Sequence, residues 1–82
     1  MQKPYIIEWF WVMEMYKKVR DLREDKDMTQ QQMADFLNVT QATYSRYESG
    51  ELDIPTQILI KLSRFHKVSV DYLLGLDDNG KL

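Results

Sequence analysis

From Met15 onward, apolar positions recur at the three- and four-residue intervals of a helix, and no segment alternates for long as a strand would. Tyr16, Val19, Leu22 and the stem of Lys26 mark the buried side of a first helix over about residues 14–26. Its outer faces carry Lys17, Lys18, Arg20, Asp21, Glu24 and Asp25.

A second helix is signalled several times over. Thr29 stands where a hydroxyl caps the free first-turn amides, and Gln32, three residues on, completes a capping box. Met28 and Met33 have the spacing of a hydrophobic staple. Met33, Ala34 and Leu37 form the apolar stripe, and Asn38 is suited to the left-handed conformation that ends a helix.

Thr40 repeats the cap for a third helix over residues 41–49, and Gly50 lies just past its end. Tyr44 and Tyr47 share one side, where their spacing makes them core. At about 100° per residue, Ala42, Ser45, Arg46 and Ser49 lie opposite, with Gln41 and Thr43 projecting from the first turn. Pro55 suits the first turn of a fourth helix, whose stripe is Ile58, Leu59, Leu62 and Phe65 with Ile60 on its flank. Ser69 caps a short fifth helix, Val68 and Leu73 staple it, and Gly75 closes it. Asp77 to Leu82 read as a frayed tail. The expected layout is an all-α domain at 14–76, an apolar extension at 1–13 and a flexible tail at 77–82.

Composition narrows the chemistry. The 82 residues suit one small domain, with 44% hydrophobic and 29% charged residues. Cysteine is absent and His66 is the single histidine, which removes disulfides, thiolate metal sites and most acid–base constellations. We expect no enzyme activity, no cofactor and no metal. Glu24, Asp25 and Asp27 read as a solvating helix end, the five methionines as gap-fillers and staples, and His66 as a surface residue or a partner of the helix dipole. No stretch approaches the roughly 20 apolar residues of a membrane span, and Glu8 interrupts any leader-like run. A soluble, cytosolic chain is expected.

Two capped helices joined by a turn of about three residues, the second exposing a compact polar face, form the simplest reader of DNA sequence. One helix fits the major groove, about 12 Å wide, while its predecessor braces it. Close packing at Ala34, a left-handed turn at Asn38 and anchors at Met33, Leu37, Val39, Tyr44 and Tyr47 meet that requirement. The segment TQQQMADFLNVTQATYSRYESG resembles the helix-turn-helix of the phage repressor and Cro family, also called the xenobiotic-response-element family. The similarity runs from about Tyr16 to Leu76 and includes the flanks KKVRDLRED and ILIKLSRFHKVSVDYLLGL.

The resemblance implies a five-helix, lambda-repressor-like bundle that binds double-stranded operator DNA, usually as a two-fold dimer, in the cytoplasm of a bacterium or on a phage or bacterial nucleoid. Carried over by position, it makes Gln41, Ala42, Thr43, Ser45 and Arg46 the base-reading face. Gln41 can pair with adenine, Ala42 offers a methyl contact to thymine, and Arg46 takes guanine or a phosphate. Gln30 would meet a phosphate or lock the first side chain of the reading helix. Thr40, Ser49 and Lys17 would touch the backbone. An Arg23–Glu48 ion pair would tie the first helix to the third, orienting the reader more than stabilising the fold.

Two features depart from that pattern. The net charge is −2, and residues 28–50 set Arg46 against Asp35 and Glu48, with Glu51 and Asp53 following where the family has basic residues. With Arg46, Lys17, Lys18 and Lys61 or Arg64 as the cations, a monomer is expected to bind weakly with a shallow salt dependence, so dimerisation must supply affinity. The second departure is YIIEWFWVM, residues 5–13. It extends the first helix and packs on the domain, forms an apolar arm in which Trp9, Phe10 and Trp11 meet a second protomer or another protein, or is upstream sequence ahead of a start at Met13 or Met15.

Two function classes follow. One is a sequence-specific transcriptional regulator, a dimeric repressor with no residues left for an effector domain. The other is a protein-interaction module such as an antitoxin, in which DNA binding is secondary.

Overall fold

The computed structural model describes residues 16–77, 79 and 80. Among these, five helices follow one another: α1 Lys17–Asp25, α2 Gln30–Leu37, α3 Gln41–Ser49, α4 Thr56–His66 and α5 Val70–Leu73. No strand separates them, and the all-α bundle expected from the periodicity is the fold. None of these helices is long and apolar enough to cross a membrane.

The core is where the stripes converge. Val19 of α1, Met33, Ala34 and Leu37 of α2, Tyr44 and Tyr47 of α3, Ile58 and Leu62 of α4 and Leu73 of α5 are all buried. Tyr16 and Ile54 close the cluster from outside the helices. Helix α3 packs on α2 and α1, α5 packs on α1 and α4, and α3 is therefore held from two sides. Burying such side chains supplies the driving force, at about 25 cal/mol per Å² of apolar surface.

The helix ends explain the sharp turns. Asn38 adopts φ 63°, and its N–H and that of Val39 return to the carbonyls of Asp35 and Ala34 at 3.2 and 3.0 Å. Gly75 (φ 77°) and Leu76 repeat the same double closure onto Tyr72 and Asp71. Two further ends do so without a residue built for it: Asp27 (φ 55°) closes α1, and Lys67 (φ 58°) closes α4. Each left-handed residue reverses the chain within a residue or two and satisfies carbonyls that the helix leaves free.

Three expectations are corrected. Pro55 is not inside α4 but caps it from one residue outside, where its missing N–H is equally harmless. Lys26 does not bury its stem; it is exposed, and its ammonium lies 5.4 Å from the Phe65 ring centroid. His66 is no surface residue: it is buried, because it falls four residues after Leu62 on the inward stripe of α4. The Gly80 carbonyl accepts from the Ser69 N–H at 2.8 Å, and Gly80 is buried against Tyr72. The N-terminal segment, with Trp9, Phe10 and Trp11, lies outside the described residues.

Candidate nucleic-acid interface

The pair α2–α3 is built by local chemistry at both caps. Thr29 Oγ1 accepts from the Gln32 N–H at 3.0 Å, while Gln32 Oε1 accepts from the Thr29 N–H at 2.8 Å. Thr40 Oγ1 accepts from the Thr43 N–H at 3.1 Å and donates to the Thr43 hydroxyl at 3.0 Å. Ala34 is fully buried on α2, the helix on which α3 packs. Tyr44 and Tyr47 turn the other side of α3 into the core, their rings edge to face at 6.4 Å.

What remains outside α3 is polar. Gln41, Ala42 and Arg46 are exposed, and Thr43 and Ser45 are half-buried beside them. The Arg46 side chain makes no ion pair among the described residues. Thr40, Ser49 and Lys17 are exposed, and Gln30 is half-buried at the start of α2. Ser49 is engaged locally: its hydroxyl donates to the Arg46 carbonyl at 3.2 Å and accepts from the Glu51 N–H at 3.3 Å. Glu51 and Asp53 are both exposed next to it, so the rim beyond α3 is acidic.

Behind this face runs a continuous chain of polar contacts. Arg23 Nε donates to Glu48 Oε2 at 2.7 Å and Nη2 donates to Oε1 at 3.2 Å, while Nη1 donates to the Met28 carbonyl at 2.7 Å. Gln30 Nε2 donates to Glu48 Oε1 at 3.0 Å. Gln41 Nε2 in turn donates to Gln30 Oε1 at 2.7 Å. The buried ion pair is thereby connected, through one amide, to the first exposed side chain of α3.

Electrostatics fits this arrangement. Burial alone would raise the Glu48 pKa, but hydrogen bonds, Arg23 first and Gln30 among them, hold it below the usual carboxylate range. The bond to Glu48 raises the Arg23 pKa further, so both stay charged. Burial first, then the nearby Glu48 carboxylate, pushes the Tyr44 phenol up. Its hydroxyl sits close to that carboxylate without making a well-formed hydrogen bond to any described residue.

The family resemblance offers two pairs, Arg23 with Glu48 and Gln30 with the first side chain of α3, Gln41, and the structure joins them. The sequence does not foreshadow the Gln30–Glu48 bond that makes them one unit. The available signal is a glutamine opening one helix while a glutamate on the next is already engaged by an arginine.

A family model described as Helix-turn-helix matches residues 19–73. The chain is 38% identical over 69 residues to the HTH-type transcriptional regulator ImmR of Bacillus subtilis, covering 84% of this chain and 54% of that protein. It is 37% identical over 63 residues to the HTH-type transcriptional activator BcrR of Enterococcus faecalis, covering 77% and 31%. To the cryptic phage CTXphi transcriptional repressor RstR of Vibrio cholerae it is 33% identical over 58 residues, covering 71% and 52%. The chain spans about half the length of the first curated relatives it matches. No solved structure matches it significantly.

Proposed function

The chain belongs to the helix-turn-helix family, and on that premise we propose that it is a DNA-binding transcriptional regulator that reads the major groove with α3. The observation that carries this reading is the outer face of α3: exposed Gln41, Ala42 and Arg46 on a helix whose other side is locked into the core. Gln41, Ala42, Thr43, Ser45 and Arg46 meet base edges, and Gln30, Thr40, Ser49 and Lys17 meet the phosphate backbone.

The regulator works as a homodimeric repressor in the cytoplasm. The acidic rim at Glu51 and Asp53 limits the phosphate contacts of one protomer, so two reading helices on a two-fold operator supply the affinity. The segment holding Trp9, Phe10 and Trp11 is the candidate arm for the second protomer or a protein partner. Its deletion leaves a monomer in solution if it is the dimer arm, and an unchanged dimer excludes that role. Among the relatives, one is named as a repressor and one as an activator.

The deciding experiment is binding to duplex tiles from the region upstream of its own gene at near-physiological salt, wild type against Gln41→Ala. Tight binding to one tile, weakened by roughly 1–3 kcal/mol in the variant, is expected. Uniformly weak binding that ignores Gln41 overturns the reading.

A further inference from the structure

The polar chain from Arg23 to Gln41 has a direction, and its buried end sets it. The Glu48 side chain is 4% exposed and carries a full charge against Arg23. An ionised carboxylate can only accept hydrogen bonds, and a guanidinium can only donate them. Gln30 can therefore face Glu48 with nothing but its amide nitrogen, as it does at 3.0 Å. Its carbonyl is left on the far side, where only a donor can satisfy it, and Gln41 Nε2 donates to it at 2.7 Å. That commits one of the two Gln41 N–H groups. Its carbonyl oxygen and second N–H remain free.

We propose that Glu48 is a specificity-determining positioning residue: by polarising the Gln30–Gln41 pair, it makes Gln41 present a carbonyl acceptor beside one N–H to the groove. The inference rests on the proposed reading of α3 as the DNA-reading helix. An acceptor beside a donor matches the N6 amino group and N7 of adenine. With a neutral amide at position 48 the constraint vanishes. Gln30 can then flip, donate to the Gln41 carbonyl and leave Gln41 showing N–H donors alone, the pattern that suits N7 and O6 of guanine. Glu48 thus discriminates between A·T and G·C at one base pair without touching DNA.

The test selects bound sequences from a randomised duplex library with the full chain, comparing wild type, Gln41→Ala, Glu48→Gln and the double variant Gln30→Glu/Glu48→Gln. Side-chain amide NMR of each protein reports the Gln30 and Gln41 hydrogen bonds directly. Wild type should prefer adenine at one position, identified because Gln41→Ala relaxes it. Glu48→Gln should reduce the adenine-over-guanine preference there by roughly 10-fold and leave other positions unchanged. The double variant should bind every sequence more weakly, because its carboxylate replaces the Gln30 phosphate contact, yet restore the adenine-over-guanine ratio at that position, because a carboxylate at position 30 can again only accept, from Gln41 on one side and from the new amide at position 48 on the other. Should Glu48→Gln fail to fold, Gln30→Met keeps the ion pair intact and carries the same expectation of relaxation at that single position.

An unchanged preference in Glu48→Gln and Gln30→Met, with unshifted Gln41 amide signals, would overturn the assignment while leaving the regulator reading intact. So would an equal loss of preference at every position, which a loosened fold produces. A wild-type protein that selects no motif would overturn the regulator reading itself, and this assignment with it.

Discussion

Arg23 and Glu48 lie 25 positions apart, yet they form a two-pronged ion pair, and the third nitrogen of the same guanidinium takes the Met28 carbonyl at the end of the α1–α2 connection. One side chain thus ties together α1, the connection and the last turn of α3. Removing only the arginine leaves a buried carboxylate with no counter-charge. Arg23→Met is expected to cost about 3–5 kcal/mol in urea unfolding. The double variant Arg23→Met/Glu48→Leu should be markedly milder, since it leaves no orphaned charge. A double variant as damaged as the single would contradict this account.

Ala34 lies on α2, the helix on which α3 packs. It is fully buried and two of its neighbours in the core, Met33 and Leu37, are also sealed from solvent. Ala34→Leu adds three heavy atoms where there is no space, at a cost of about 1–3 kcal/mol or more. Because α2 packs against α3, the strain is expected to reach the Gln41–Gln30 contact, seen as shifts of both side-chain amides by NMR.

The parts of the fold legible in the sequence are those set by local chemistry. Thr29, Thr40 and Ser69 cap, and Asn38, Gly50 and Gly75 turn left-handed, because each acts on backbone groups within a few residues. Illegible were the places where tertiary packing overrode residue type. Phe36 is apolar yet 48% exposed, its ring 4.7 Å from that of Phe65, whereas His66 is polar and buried. At the candidate site, the resemblance supplied the two pairs of the polar chain but neither the Gln30–Glu48 bond that joins them nor the direction of the amides, because that direction depends on a contact across three helices. Only the buried carboxylate reveals it.

Lys67 is a useful case of such an override. Its φ of 58° is dictated by the close of α4 and the start of the next segment, while its side chain gains nothing from that conformation. A left-handed backbone costs a residue with a Cβ about 1–2 kcal/mol, partly offset in glycine by greater freedom when unfolded. Lys67→Gly should therefore stabilise the domain by about 1 kcal/mol and raise Tm by several degrees. A lowered Tm would mean that the lysine side chain makes a contribution that its exposure hides.

His66 sets the acid response. It is 7% exposed, and neither ring nitrogen finds a hydrogen-bond partner among the described residues. Burial, with a smaller push from the Lys26 ammonium, brings its pKa from the ordinary 6.5 down to about 4. Between those two values the unfolded chain holds a proton on this histidine and the folded chain does not. Stability must therefore fall as pH drops from 6.5 to about 4, by up to about 3 kcal/mol from this residue. Glu48 acts in a separate window. Its folded pKa is depressed, so its contribution is present above the ordinary value of 4.5 and is lost as pH falls below that. His66→Leu isolates the first effect, since it removes the titration and two unsatisfied nitrogens while keeping apolar volume on the inward stripe of α4. It should flatten the stability profile between pH 6.5 and about 4.5 and raise stability at pH 7 by about 1–3 kcal/mol, leaving the loss below pH 4.5 in place. Urea unfolding across that pH range measures both. A profile with the same slope in wild type and variant would show that the imidazole is solvated in the folded state, and that its place on the stripe does not exclude water.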